Sequence, residues 1–190
     1  FFYDVMKMAY ALSHQPQHYN YVASVLSGGT GRQKCIYNLF FQESTRTREL
    51  FRVAGERLGG IVHEVIDPQY SSSIRKGETL EATVRTLALA GHDAFVIRYR
   101  GPKEKAAQDI ADMCEDENIP ASIICAGENN TRHPVQALCD LYTVFHFFRD
   151  RFLYGELSYV IIGDISNSRT IHDFLYGIAL FGARHVVLVG

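Results

Sequence analysis

Residues 35–60 read CIYNLFFQESTRTRELFRVAGERLGG, and this stretch decides the fold. Its first seven residues form an apolar run of strand length, and Ser44 then follows as the N-cap of a helix to about Leu58. The two glycines that come next end this helix, and residues 61–66 continue as a second strand. A strand, a helix and another strand in this order predict two parallel strands joined by a crossover helix.

The remainder of the chain repeats this alternation. Helices are predicted at residues 4–14, 78–90, 103–116, 133–148 and 168–181. Strands are predicted at residues 94–97, 121–125, 157–162 and 185–189. We therefore predict an α/β fold with mainly parallel sheets, and a domain boundary within residues 148–155.

Length and composition limit the class of protein. At about 150 residues per domain, 190 residues correspond to about 1.3 domains. Apolar residues make up 47% of the chain and charged residues 21%, which excludes a disordered protein. The 19 basic and 21 acidic residues leave a net charge of −2, so we expect no nucleic-acid partner. No apolar run reaches the ~20 residues of a membrane span, so we expect no membrane partner either.

The four cysteines are far apart in the sequence and form no CxxC pair. We therefore predict neither a disulfide framework nor a zinc site. Three of them lie in apolar contexts and are predicted to be buried thiols: Cys35, Cys125 and Cys139. This usage favours a reducing, cytoplasmic location.

The first candidate anion site is Ser44-Thr45-Arg46-Thr47-Arg48, between a predicted strand and a predicted helix. Three hydroxyls and the N–H groups of the helix start converge where the helix dipole is positive. Arg46 adds a planar fork that suits phosphate oxygens, so the segment is typical of an anion site. The same residues also suit an ordinary helix cap followed by exposed arginines.

Two more groups of anion-binding side chains follow. Residues 71–79 form a small polar loop that carries Lys76, although it is equally an ordinary loop in which Thr79 caps the next helix. Arg98 comes directly after a predicted strand, where open α/β sheets place ligand-binding groups.

The last two groups also follow predicted strands. His133 and Gln136 share one face at a helix start, so the imidazole can polarise a carbonyl and the amide oxygen can accept from an NH2 group. A purely structural role for His133 stays open. Arg169 lies near the start of a later helix, after Gly163, and suits a carboxylate; the alternative is a loop arginine paired with Asp164.

Four of the five groups follow predicted strands, and the carboxyl ends of parallel strands lie along one edge of a sheet. Many of their donors suit anions, so the natural ligand is a phosphate compound together with a carboxylate compound. Neither a GxxxxGKS/T loop nor a GxGxxG fingerprint after a strand is present, which disfavours a nucleotide-binding module.

In combination these motifs resemble the aspartate/ornithine carbamoyltransferase family. The matching segments are FFQESTRTR at 40–48, LGG at 58–60, KGET at 76–79, Arg98, AG at 126–127, HPVQAL at 133–138, DLYT at 140–143, GD at 163–164 and SRT at 168–170. Their order and spacing run through nearly the whole chain. The loop with Ser72 and Lys76 and the segment SRTIH at 168–172 are more similar to the aspartate branch than to the ornithine branch.

The resemblance implies two doubly wound parallel-sheet domains, the second only partly present in this chain. Residues 1–148 would form a carbamoyl-phosphate-binding domain, and residues 149–190 the start of an amino-acid-binding domain. The chain is then expected to be a portion of a two-domain enzyme whose remaining amine-binding loops lie beyond Gly190.

The resemblance also implies roles for the candidate residues. The phosphate of carbamoyl phosphate would be held by Ser44, Thr45, Arg46 and Thr47. Arg98 would contact both the phosphate and the carbonyl oxygen. His133, together with Thr47, would polarise that carbonyl, and Gln136 would accept from the carbamoyl NH2 group. Arg169 would bind a carboxylate of the amino acid, and no metal or organic cofactor is needed.

The implied assembly is a homotrimer with shared active sites, because in this family the loop matching Ser72 and Lys76 reaches the neighbouring subunit's site. Regulatory chains are a further potential partner. The implied reaction gives N-carbamoyl-L-aspartate and phosphate, in pyrimidine biosynthesis. The alternatives are transfer to another amine such as ornithine, or a non-catalytic relative that binds carbamoyl phosphate.

Two departures from the family's pattern motivate the non-catalytic alternative. Gln42 stands where the family usually has a carboxylate, with Glu43 beside it. Leu50-Phe51-Arg52 replaces the usual Ser-Phe-Glu.

Overall fold

A computed structural model describes residues 2–29, 31–42, 44–65, 76–101, 105–128 and 132–190. In chain order the helices and strands are α1 (Phe2–His14), α2 (Pro16–Leu26), β1 (Cys35–Phe40), α3 (Thr45–Arg57), β2 (Ile61–Val65), α4 (Leu80–Leu89), β3 (Ala94–Tyr99), α5 (Ala106–Asp116), β4 (Ser122–Glu128), α6 (Pro134–Phe148), α7 (Asp150–Leu153), β5 (Ser158–Ile162), α8 (Arg169–Phe181) and β6 (His185–Val189). The chain divides into two compact units, Pro16–Asn129 and a second that combines Phe1–Gln15 with Asn130–Gly190.

Four parallel strands form the sheet of the unit Pro16–Asn129, in the order β2-β1-β3-β4. From β1 the chain passes through α3 to β2 on one side, whereas from β3 it passes through α5 to β4 on the other side. The two connections diverge at neighbouring strands. The carboxyl ends of β1 and β3 therefore form a topological switch point, where open α/β sheets bind their ligands.

Apolar side chains cover both faces of this sheet. On one face α3 packs through Phe51 against a cluster from three strands, namely Phe40, Val96 and Ala126. Helix α3 lies close to the sheet because Gly55 has no side chain: a Cβ there would lie 2.6 Å from Val62 Cγ2. The opposite face packs under α4 and α5 through a larger cluster: Leu39, Phe41, Val84, Phe95, Ile97, Ile110 and Cys114. Burial of each large apolar side chain stabilises the fold by about 1.5–3 kcal/mol.

The other unit contains a parallel pair of strands, β5 and β6, together with α1, α6, α7 and α8. Its core joins residues from the helices and the segment before β5: Met6, Leu141, Phe145, Phe152, Leu157 and Ile178. Polar contacts attach α1, because Ser13 Oγ and the Tyr142 hydroxyl lie 2.7 Å apart and Arg149 Nη2 donates to the Tyr10 hydroxyl at 2.6 Å.

The predicted α/β fold with parallel sheets is confirmed, and the predicted elements are present with ends that differ by a few residues. Helix α2 was not predicted, although Tyr19, Val22, Ala23 and Leu26 have the spacing of an apolar helix stripe; none of its residues is fully buried. Helix α7, with the fully buried Phe152, lies within the predicted boundary segment 148–155. The assignment of domains to residues 1–148 and 149–190 stays a prediction.

The cysteine environments differ from those expected. Cys35 and Cys125 are half-buried rather than buried, and Cys139 on α6 is exposed, so the prediction of three buried thiols is wrong. Apolar neighbours in sequence do not imply burial, because consecutive residues of a helix point in different directions and consecutive residues of a strand point to opposite faces of the sheet. Cys114, on α5, is the buried thiol. Among the described residues, no helix is long and apolar enough to cross a bilayer.

Replacing Thr79 by alanine is expected to lower the free energy of unfolding by about 1 kcal/mol. Thr79 is the N-cap of α4, and its hydroxyl accepts the Ala82 N–H at 3.2 Å. Urea unfolding measures this loss. The matched control is Thr86→Ala at an exposed position inside α4, which we expect to change stability by less than about 0.5 kcal/mol. Equal effects of the two substitutions would contradict a capping role.

Candidate functional site

The loop after β1 and the end of β3 meet at the switch point of the four-stranded sheet. Phe40 and Arg98 are partners in the parallel register, and the Phe41 N–H donates to the Arg98 carbonyl at 2.8 Å. The Arg98 backbone is therefore hydrogen-bonded to the segment that leads from β1 into α3. Because register partners point to the same face of a sheet, the Arg98 side chain emerges on the face that α3 covers.

The start of α3 has unsatisfied hydrogen-bond donors. Ser44 is its N-cap, with φ −160° and ψ 77°, but the hydroxyl makes no capping bond to the helix. The first helical bond runs from the Arg48 N–H to the Ser44 carbonyl at 3.0 Å. The N–H groups of Thr45, Arg46 and Thr47 have no acceptor within the helix, as in any first turn. Together with the positive end of the helix dipole, these groups suit an anion.

Arg98 is a buried cation at the end of β3, with 7% of its surface exposed. Its Nη1 donates to the Ala126 carbonyl at 3.3 Å. The register of β3 and β4 shifts between Ile97 and Arg98, so that Arg98 pairs with Gly127 and Ala126 is bulged. Gly127 adopts φ 131°, which residues with a Cβ rarely adopt. The bulge thus supplies the carbonyl that orients the guanidinium.

A buried polar group under α3 was not predicted from the sequence. Arg48 Nε lies 3.6 Å from Glu64 Oε2, which links the first turn of α3 to β2. Asn38 is fully buried on β1, as the register partner of Glu64. In the described part of the chain its side-chain amide has no hydrogen-bond partner. The sequence signal was an asparagine in the middle of an apolar strand, which is an unusual choice for a buried position.

Glu128 is a buried carboxylate that was not predicted from the sequence. Its Oε1 accepts the Ala107 N–H at 2.8 Å, at the start of α5. A carboxylate at a helix N-terminus is stabilised by the dipole and the unsatisfied N–H groups. Glu128 therefore connects the end of β4 to α5, next to the bulge that holds Arg98.

Of the two residues predicted to act together in the loop before α4, the structure describes only Lys76. Lys76 is exposed in the turn before α4. Ser72 and Glu43 lie outside the described residues. The structure therefore leaves the role predicted for this loop as a prediction.

His133 lies at the start of α6, in the unit that contains Asn130–Gly190. Its Nδ1 accepts the Gln136 N–H at 3.3 Å, so the neutral imidazole carries its proton on Nε2. Its backbone N–H donates to Asp173 Oδ2 at 2.5 Å. The ring is thereby a helix cap through one nitrogen and a hydrogen-bond donor through the other.

Gln136 has a defined amide orientation. Its Nε2 donates to Asp140 Oδ1 at 2.9 Å, one turn along α6. An ionised carboxylate only accepts hydrogen bonds, so the amide must turn its NH2 group toward Asp140. This orientation leaves Oε1 as an acceptor, and its predicted role toward the carbamoyl NH2 group stays a prediction.

Arg169 is the first residue of α8, and the same helix carries Asp173, which holds the His133 backbone. Asp164, the alternative partner considered for Arg169, accepts from Asn167 Nδ2, at 3.0 Å to Oδ1 and 2.9 Å to Oδ2. Asp173 was not predicted. It lies far from His133 in the sequence, so neither period nor motif links the two residues.

Comparison with known protein families identifies the family of this chain. Residues 2–146 match the family model described as aspartate/ornithine carbamoyltransferase, carbamoyl-P binding domain. The chain belongs to this carbamoyltransferase family. The match includes both candidate segments of the switch point and the start of α6.

Curated relatives in this family are the aspartate carbamoyltransferase catalytic subunits of Halothermothrix orenii and Archaeoglobus fulgidus. Each is 41% identical, over 82% and 80% of this chain respectively, and 46% of each relative is covered. A solved catalytic subunit of M. jannaschii aspartate transcarbamoylase superposes with a TM-score of 0.77 at 29% identity, over 99% of this chain and 56% of that one. The chain thus spans about half the length of its carbamoyltransferase relatives.

A further solved relative is described with substrates. The Trypanosoma cruzi aspartate transcarbamoylase in complex with carbamoyl phosphate and aspartate matches with a TM-score of 0.72 and 29% identity. The match covers 97% of this chain and 55% of that one.

One departure from the carbamoyltransferase pattern has a local explanation. Arg52 forms ion pairs along α3 with Glu49 and Glu56, with 2.9 Å between Arg52 Nη1 and Glu56 Oε2. Hydrogen bonds to Glu49 and then to Glu56 raise the pKa of the Arg52 guanidinium. Arg52 is therefore engaged on the helix surface by neighbours three and four residues away. At the other departure, Gln42 is half-buried two residues after the end of β1.

Within the described residues, none of the predicted site residues belongs to a group of potential metal ligands. A group of this kind, Cys35, His63 and His92, lies at the start of β1, in the middle of β2 and just before β3, away from the switch point.

Proposed function

We propose that the protein transfers the carbamoyl group of carbamoyl phosphate to L-aspartate, giving N-carbamoyl-L-aspartate and phosphate for pyrimidine biosynthesis. The observation that carries this proposal is the switch point, where the uncapped start of α3 and the buried Arg98 lie together in a chain of the carbamoyltransferase family. The aspartate carbamoyltransferase relatives at 41% identity support aspartate as the amine.

The phosphate group binds at the start of α3. The hydroxyls of Ser44, Thr45 and Thr47 and the backbone N–H groups of the first turn donate to its oxygens. Arg46 is exposed there and adds a bidentate fork. Arg98 approaches from β3 and contacts both a phosphate oxygen and the carbonyl oxygen. Because Arg98 is buried, its charge acts with little screening by water.

Charge develops on the carbonyl oxygen when the neutral amine of aspartate attacks the carbonyl carbon. The Nε2–H of His133 donates to this oxygen, with Thr47 and Arg98 as further donors. Removal of one such donor typically costs about 3–4 kcal/mol of transition-state stabilisation. The bond from carbon to the phosphate oxygen then breaks, the phosphate leaves with the electron pair, and the attacking nitrogen gives up a proton to the departing phosphate. Gln136 Oε1 accepts from the carbamoyl NH2 group and orients it.

Arg169 binds a carboxylate of aspartate, so Arg169→Ala is expected to raise KM for aspartate by about 10–100-fold. The KM for carbamoyl phosphate is expected to change little, because that substrate binds elsewhere. Steady-state kinetics with each substrate varied in turn measures both values. Arg184→Ala, an exposed arginine of the same unit, is the matched control. Equal increases in both KM values would contradict this role.

The identity of the amine is tested by product analysis with the natural full-length protein. Carbamoyl phosphate is supplied with either aspartate or ornithine, and the carbamoylated product is quantified colorimetrically. We expect product with aspartate and none with ornithine. Product with ornithine alone would overturn the choice of amine, and binding of carbamoyl phosphate without turnover of either amine would favour the non-catalytic alternative.

The proposed assembly is a homotrimer in which Ser72 and Lys76 serve a neighbouring subunit. The exposure of Lys76 fits a residue that reaches a partner. The family resemblance of the loop carries this part of the proposal. A cytoplasmic location is also proposed, since all four cysteines are thiols.

A further inference from the structure

Three side chains with metal-binding atoms converge in the unit Pro16–Asn129, near the amino ends of β1 and β3 and the middle of β2. Cys35 is the first residue of β1, His63 lies in β2, and His92 precedes β3 by two residues. Their ligand atoms all lie within 4.8 Å of one another. The strand order β2-β1-β3 places these three segments side by side, although 28 and 29 residues separate them in sequence.

The separations of the atoms fit a tetrahedral zinc ion. Cys35 Sγ and His63 Nδ1 are 3.7 Å apart, and His63 Nδ1 and His92 Nε2 are 3.0 Å apart. Around zinc, with Zn–N of about 2.0–2.1 Å and Zn–S of about 2.3 Å, two nitrogens lie roughly 3.3 Å apart and a nitrogen and a sulfur roughly 3.6 Å apart. The two measured separations therefore differ from the ideal ones by a few tenths of an ångström, and the third pair, Cys35 Sγ and His92 Nε2, lies within 4.8 Å.

The orientation of His92 is already that of a metal ligand. Its Nδ1 lies 2.9 Å from the Leu87 carbonyl, which can only accept, so Nδ1 carries the proton. The lone pair of Nε2 then faces the cluster. Metal-binding histidines characteristically donate their second nitrogen to a carbonyl or carboxylate in this way. The Tyr37 ring packs edge-on against both histidines, with centroid distances of 4.9 Å to His92 and 6.2 Å to His63.

We propose that Cys35 Sγ, His63 Nδ1 and His92 Nε2 bind one Zn²⁺ ion, with water in the fourth position. A thiolate and two imidazoles prefer zinc to Mg²⁺ or Ca²⁺, which take oxygen ligands. On binding, the Cys35 thiol loses its proton to solvent. The hydrogen bond from His63 Nδ1–H to His92 Nε2 is replaced by two metal–nitrogen bonds, and the His63 proton moves through solvent from Nδ1 to Nε2 of the exposed ring. His63 is exposed, which gives the ion a path to the half-buried Cys35 and His92.

The bound ion would connect β1, β2 and the segment before β3, away from the switch point. This site departs from the sequence-based expectation of no zinc site, which rested on the absence of closely spaced ligand pairs. Parallel strand pairing brings the ligands together instead. The proposal does not depend on carbamoyl transfer, because the two sites use different residues.

Titration of the purified protein with Zn²⁺, followed by calorimetry, tests the proposal. We expect one ion per chain, and an unfolding midpoint raised by about 5–10 °C at a zinc concentration about 100 times Kd. Cobalt(II) bound at the site is expected to give a thiolate charge-transfer band and tetrahedral visible bands. Excess Mg²⁺ is expected to displace neither Zn²⁺ nor Co²⁺. Cys35→Ser and His63→Ala should each abolish these signals, whereas the controls Cys139→Ser and His18→Ala should retain them.

A second measurement needs no substitution. Zn²⁺ is expected to protect Cys35, and not the exposed Cys139, from alkylation by iodoacetamide, as located by mass spectrometry. The proposal is overturned by an absence of stoichiometric binding. It is equally overturned by binding that survives in both cluster variants, or by alkylation of Cys35 that zinc leaves unchanged.

Discussion

Replacing Arg98 by alanine is expected to lower kcat/KM for carbamoyl transfer by about 10²–10³-fold. Arg98 is buried at the end of β3, so its positive charge acts on the phosphate and carbonyl oxygens through a weakly screening environment. The Ala126 carbonyl holds one of its guanidinium nitrogens, which fixes the fork before substrate arrives. Lysine at this position retains the charge but loses the bidentate geometry, so Arg98→Lys is expected to recover only part of the activity.

Arg100→Ala is the matched control for this experiment. Arg100 is the first residue after β3, two positions beyond Arg98, and its side chain is exposed. Its removal is therefore expected to leave kcat/KM nearly unchanged. Far-ultraviolet circular dichroism and urea unfolding establish that each variant is folded. A folded Arg98→Ala variant with more than a tenth of the activity would contradict the assigned role.

His133→Asn is expected to lower kcat by about 10²–10³-fold while leaving the stability of the protein within about 0.5 kcal/mol. The asparagine oxygen can replace Nδ1 as acceptor for the Gln136 N–H, because asparagine is among the best N-cap residues. It has no donor at the position of Nε2. The substitution therefore separates the capping role of His133 from its role toward the carbonyl oxygen.

His133→Ala completes the comparison, since it removes both roles. We expect the same loss of kcat and an additional loss of about 1 kcal/mol in the free energy of unfolding. An interaction made only in the transition state lowers kcat and kcat/KM equally, so KM for carbamoyl phosphate should stay nearly constant. Full activity in His133→Asn would show that His133 is a structural cap, which was the alternative open from the sequence.

Most of the fold was predictable, because its signals are local. The apolar runs of β1 and β3, the glycines after α3 and the threonine before α4 each specify an element through nearby residues. The switch point was also within reach, since the hydroxyl-rich segment after β1 and Arg98 after β3 both follow strands. The family resemblance added the roles that spacing alone left open.

The features that the sequence did not predict depend on contacts between distant residues. Asp173 on α8 holds the His133 backbone, and the bulge at Ala126 orients Arg98, but neither contact leaves a periodic pattern. The three residues proposed to bind zinc are also distant in sequence, and the strand order brings them together. Helix α2 is a different case, because Tyr19, Val22, Ala23 and Leu26 have helical spacing and its local pattern was sufficient to predict it.

A crystal structure with carbamoyl phosphate tests the central claim most directly. We expect the phosphate at the start of α3, with its oxygens about 2.7–3.1 Å from the N–H groups of the first turn and from the Arg98 guanidinium. Carbamoyl phosphate bound elsewhere, with solvent at the start of α3, would contradict the account.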